Sequence, residues 1–200
     1  MNEPCPLPRL VLVSLLAVLL TACAAPTPPV VYHSLLGPET AAPATTRAHG
    51  PAVVVGPVRL PDILYNTRLA TGSDGRYQLA ENHRWAGAVD REIERALAER
   101  LAADLATERV ALFPQQPAAE TVWRVQAEVL ALDGEPGHTA HLDVRWTLLN
   151  PAGQAPLTRR SEYREPLSKP DLTAWVAGQR TNLARLGAEI GAAIRKGTTD

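Results

Sequence analysis

Cysteine is nearly absent from this 200-residue chain: Cys5 and Cys23 are the only two, and no thiol follows residue 23. The bulk of the chain therefore has no disulfide framework, no cysteine metal site and no thiol nucleophile. Charge excess is also missing, since 20 basic and 21 acidic side chains leave a net −1. Nucleic acid finds no basic field to bind, and attachment to a membrane has to come from something other than net charge. No Gly-rich phosphate loop, zincin motif or nucleophile elbow is present. The acids are spread along amphipathic segments and are not paired in an apolar setting that would split their pKa values. Of the five histidines, only His138 and His141 are close together, with Asp143 following. His138 falls in a Gly/Pro turn and His141 opens a strand, so their directions do not converge on a metal. His83 is expected at a hairpin-to-helix junction, as a cap or a solvated side chain. The reading is of a non-enzyme with no catalytic residue, no metal and no cofactor.

What is present begins with an apolar run from Leu10 to Leu20, broken only by Ser14, preceded by Arg9 and followed by small residues. This is the layout of a secretory signal peptide. It is too short to span a bilayer, which needs about 20 apolar residues. The run ends in Leu20-Thr21-Ala22-Cys23, which resembles a bacterial lipobox. The resemblance implies cleavage between Ala22 and Cys23, with Cys23 lipidated as the new N-terminus. Two or more acyl chains give stable anchoring where one is marginal. Residues 1–22 are thus expected to be a lipoprotein signal peptide, and residues 23–30 the lipidated cysteine with a Pro-rich tether through Pro26, Pro28 and Pro29. Such a tether reaches about 20 Å. Ala24 follows the cysteine where enterobacterial lipoproteins retained in the inner membrane have Asp, and that resemblance implies the outer membrane.

Residues 31–197 are expected to form a single periplasmic domain, large enough to bury a core unaided. Val30 to Leu36 suits a first strand, and Gly37 to Pro51 is rich in Pro, Ala and Thr and reads as loop. Ala52 to Leu60 is β-branched but contains Gly56-Pro57, so it should lie at an edge or carry a bulge. Thr67–Thr71 and Arg76–Ala80 flank Gly72-Ser-Asp-Gly75 as a hairpin. Trp85 to Glu108 predicts a helix, its apolar stripe marked by Trp85, Val89, Ile93, Leu97, Leu101 and Leu105. Val110–Phe113 is strand-like. Thr121–Leu132, His141–Leu149 and Leu157–Arg164 read as an antiparallel meander. A second helix follows Pro170, capped by Asp171, with Leu172, Trp175, Val176, Leu183, Leu186, Ile190 and Ile194 on one face and Gln179 at its rim. The fold class is α+β, a mainly antiparallel sheet with two long amphipathic helices packed on one face. Trp85, Trp123, Trp146 and Trp175 are expected to be core residues, since large aromatics dominate burial. A groove between the helices and the sheet would still admit an acyl chain or a partner helix.

Several segments together resemble one family: Tyr32-His-Ser-Leu35, Val53-Val-Val-Gly-Pro-Val-Arg-Leu-Pro61, Arg68-Leu-Ala, Tyr77 to Ala80, and Asn82-His-Arg-Trp-Ala86. Trp123 to Asp133, His141 to Asn150 and Leu183 to Ile194 continue the match. The order resembles the ABC-type transport auxiliary lipoproteins, in particular the PqiC-like branch. That resemblance implies an outer-membrane lipoprotein facing the periplasm, with no catalytic residues of its own. Its implied partner is the MCE-domain protein of an inner-membrane-anchored complex that moves lipid between the membranes. Two other functions suit the same anchor, a periplasmic lipid-binding carrier and a structural or pilot lipoprotein of another envelope complex.

Overall fold

The computed structural model describes residues 28–37, 50–117, 119, 121–152 and 156–198. Ala22, Cys23, the apolar run, the start of the tether and most of the Gly37–Pro51 segment lie outside the described residues. In chain order the elements are β1 (Val31–His33), β2 (Ala52–Arg59), a 3-10 turn (Asp62–Tyr65), β3 (Arg68–Ser73), β4 (Arg76–Trp85) and α1 (Val89–Asp104). They continue as β5 (Val110–Leu112), β6 (Val122–Asp133), β7 (Thr139–Leu149), β8 (Leu157–Pro166) and α2 (Leu172–Gly197). The five-stranded sheet has the order β5-β2-β6-β7-β8, and a three-stranded sheet has the order β1-β4-β3.

The class is α+β, as the element pattern implies, but both sheets are mixed. β6, β7 and β8 form the expected antiparallel meander. β2 runs parallel to both of its neighbours, β5 and β6, and β1 runs parallel to β4. The cause is α1. It carries the chain back over the sheet to the end where β2 began, so β5 enters in the same direction as β2. Parallel strands need such a crossover, usually helical. β2 is therefore interior over Val53–Val55, and β5 ends at Leu112 before it reaches Pro57. The register slips between Val55 and Val58, a bulge at Gly56-Pro57. Gly56 takes φ +109 there, a backbone conformation that glycine adopts without steric cost. Beyond the bulge the Val58 N–H donates to Glu94 Oε1 at 3.1 Å.

The first helix begins later than its stripe suggests. Trp85 still pairs with His33 at the end of β4, and Ala86-Gly87-Ala88 turns the chain before Val89. β4 is correspondingly longer than Arg76–Ala80, and His83 lies within it, not at a cap. Trp85 remains a core residue, 6.2 Å from Trp175 between ring centroids. The second helix starts where Asp171 caps it, accepting the Ala174 N–H at 2.7 Å.

Both helices lie on one face of the large sheet and run parallel to each other. A Cβ on Gly187 would meet Arg100 Cγ at 2.5 Å, and Gly191 lies over Asp104. Further along, Arg195 donates to the Asp104 carbonyl at 3.1 Å. The helix N-termini thus meet the small sheet, and their C-termini meet the starts of β2, β6 and β8. A single apolar cluster joins the two sheets and both helices, with Trp146 and Trp175 fully buried in it. Gln179, expected at the rim, is also fully buried. Its amide donates to the Asp133 and His141 carbonyls at 2.8 and 3.1 Å.

Candidate functional site

The last two turns of α2 present Ala192, Ala193 and Gly197 toward the sheet. Larger side chains there would close the space; these leave a cleft of about 700 Å³. Its floor is Trp123 at the start of β6, Leu148 at the end of β7 and Leu157 at the start of β8. The Trp123 ring lies directly under Gly197, where an added Cβ would meet its Cη2 at 2.7 Å. A smaller recess of about 290 Å³ shares Trp123, Asn150 and Gly197 and extends toward Pro51 and Ala52. The combined space falls in the range of small-ligand sites.

The rim is polar. Glu189 is committed to the fold: it accepts from Ser161 Oγ at 3.1 Å and from the Tyr163 hydroxyl, and lies 3.8 Å from Arg159. Ser161 in turn accepts the buried Trp146 Nε1–H at 3.0 Å. Burial and the adjacent carboxylate push the Tyr163 hydroxyl far above its ordinary pKa, so it stays protonated and acts as a fixed donor. Lys196 is exposed on the same rim. An aromatic and aliphatic floor beside a cation can hold an amphiphilic group. Among the described residues that line it there is no His, Cys or Ser.

The histidines do other work. His33 and His83 stack with ring centroids 5.1 Å apart, and His33 Nε2 lies 2.8 Å from His83 Nδ1. His141 bridges Asp133 at 2.6 Å and Glu162 at 3.0 Å on the outer face of the large sheet. His138 is not brought to it, and among the described residues no group of three or more His, Cys, Asp or Glu is placed to hold a metal. Two buried carboxylates on α1 serve the backbone. Glu92 accepts the Leu35 N–H at 2.7 Å, and Glu94 binds the β2 bulge. Among the described residues no helix is long and apolar enough to cross a membrane. The sequence-predicted lipidation site, Cys23 with cleavage after Ala22, lies outside the described residues. Sequence reasoning saw Trp123 only as core. The available signal was the run of small residues closing the apolar face of α2.

A family model for the ABC-type transport auxiliary lipoprotein component matches residues 33–191. Among solved structures, one described as an uncharacterized protein is similar at 20% identity and TM-score 0.68, over 84% of this chain and 99% of its own. Protein XCC0632 from Xanthomonas campestris, assigned to the DUF330 family, is similar at 17% identity and TM-score 0.65, over 85% of this chain and 98% of its own. At these identities the likeness shows the fold alone. No curated protein gives a significant match.

Proposed function

The chain belongs to the family of ABC-type transport auxiliary lipoprotein components, and from that premise we propose that it is a lipid-anchored, non-enzymatic docking subunit of an envelope lipid-transport system. In this reading Cys23 is acylated after cleavage behind Ala22, residues 23–30 tether the protein to the periplasmic face of the outer membrane, and residues 31–197 act as one domain. The partner is the MCE-domain protein of an inner-membrane-anchored complex. The family match over residues 33–191, on a chain whose N-terminal apolar run ends in Leu20-Thr21-Ala22-Cys23, carries the proposal. The cleft beneath Gly197 lies at the end of the helix pair away from β1, and in this reading it receives the incoming partner.

Co-purification tests the docking role. Tagged protein extracted in mild detergent should recover an MCE-domain protein, and recovery of none would overturn the reading. The anchor has its own check: Cys23→Ala should abolish acylation and leave a soluble or unprocessed product, read by palmitate labelling and membrane fractionation. A second reading, a lipid carrier, is favoured by the volume and apolar floor of the same cleft. Native mass spectrometry of gently purified protein separates the two, because a carrier retains phospholipid and a docking subunit does not.

A further inference from the structure

The structure places an exposed aromatic and aliphatic cluster where the tether enters the fold. Val30 and Tyr32 are 45% and 68% exposed, while Val31 between them, 41% exposed, turns to the opposite face of the strand. Across the small sheet, Tyr32 pairs with Arg84, and Arg84 pairs with Arg68. Register partners share a face, so Tyr32, Arg84 and Arg68 form one row. The Arg68 side chain is exposed. Arg84 spends part of its donor capacity on the Ala80 and Glu81 carbonyls at 3.3 and 2.8 Å. Tyr65, just before β3 at the same end of the sheet, is 57% exposed. Exposed apolar area rimmed by polar side chains, as the arginines rim Tyr32 here, marks an interaction surface.

We infer that this row is a membrane contact: the Tyr32 face of the small sheet rests in the headgroup layer of the bilayer that holds Cys23. The inference rests on the acyl anchor proposed above. Seven residue steps separate Cys23 from Val30, and fully extended chain spans at most about 24 Å over that length. Once Cys23 is in the bilayer, no other large surface is within such constant reach of this cluster. Tyrosine rings sit at the membrane interface, with the ring in the apolar region and the hydroxyl in water. Arginines beside them meet phosphate groups, for which the guanidinium fork is suited. The chain has no global positive field, so the pairing is local and depends on the anchor to bring it about. The contact also fixes orientation. α2 runs about 20 Å from Arg180, which donates to Ser34 at the root of β1, to Ala193 in the cleft. With the Tyr32 row on the bilayer, the cleft opens into the periplasm.

The absence of thiols after Cys23 permits a direct test on the full, lipidated chain. Tyr32→Cys and Thr158→Cys are each labelled with a small fluorophore, the second at the far end of the molecule. Both are reconstituted into vesicles of phosphatidylethanolamine and phosphatidylglycerol containing a nitroxide-quencher lipid. Quenching several-fold greater at position 32 than at position 158 is expected. Val30→Cys repeats the measurement with Tyr32 intact, and Arg68→Glu should reduce its quenching. Equal, weak quenching at 30, 32 and 158 on protein that floats with the vesicles would overturn the contact and leave the anchor standing. Protein that does not float would overturn both.

Discussion

His33 sits where two imidazoles share a single proton. Its Nε2 and the Nδ1 of His83 are 2.8 Å apart, so one ring donates and the other accepts, and a second proton has no place between them. Burial first, then the charges of His83 and Arg180, hold the His33 pKa below its ordinary value. The consequence has a definite sign. Above about pH 6.5 neither folded nor unfolded chain protonates this group, and its contribution is fully present. As pH falls below that value the unfolded chain takes up the proton first, and stability is lost until the folded value is passed. His33→Gln should therefore flatten the fall in Tm below about pH 6.5, measured by thermal unfolding across pH. Asp143 gives a second window. Arg160 donates to both its oxygens, at 3.0 and 2.6 Å, and holds its carboxyl below the usual range against the opposing effect of burial. That contribution is present above about pH 4 and is lost as pH falls through the lower folded value. Asp143→Asn should remove this part of the acid limb in urea titrations, and leave the loss that sets in near pH 6.5 unchanged.

At the scale of elements, the second helix is held to the meander by polar contacts inside its apolar face. Gln179 donates to the Asp133 and His141 carbonyls, and Asn182 donates to the Ala140 carbonyl at 3.0 Å. Both side chains are fully buried. Gln179→Leu should cost about 1–3 kcal/mol, the penalty for leaving buried carbonyls short of a donor; denaturant midpoints at constant m would read it. A stripe count treats Gln179 as a flaw, because periodicity grades hydrophobicity and cannot see which carbonyls lie opposite. The same limit explains the other differences. The meander and α2 were readable because their patterns are long and their ends carry turn or cap residues. The N-terminus of α1 was not, since Trp85 falls four residues before Val89 and continues the stripe by position while belonging to a strand. The parallel neighbours of β2 depend on where a crossover returns the chain, which no local pattern encodes. The cleft draws its floor from three strands and its wall from one helix, so no single segment announces it.

The whole molecule has two unlike ends. At one, the small sheet, the tether root and the helix N-termini meet; at the other, small residues on α2 leave the cleft over Trp123 open. The ends are joined by a helix of 26 residues, about 39 Å long at the α-helical rise. A partner that docks in the cleft should therefore be lost without disturbing the fold. Ala192 is exposed on the cleft wall, and Ala192→Glu replaces it with another good helix former. It should leave stability within about 0.5 kcal/mol of the parent and sharply reduce recovery of the partner. The paired measurements are the unfolding midpoint and the co-purified yield.

The way β1 is fastened has a mechanical side. Any pull between an anchored N-terminus and a partner at the far end enters the fold through this three-residue strand. Its ladder to β4 is parallel, and its exit is clasped twice more. The Leu35 N–H is held by Glu92 at 2.7 Å, and the Ser34 carbonyl by both Arg180 Nε and Nη2 at 3.0 and 2.7 Å. Tension on the tether loads these bonds together, in shear, instead of peeling them one after another. It passes straight into the two helices from which Glu92 and Arg180 project. One of the two shortest strands of the fold, only three residues long, is thus its towing point.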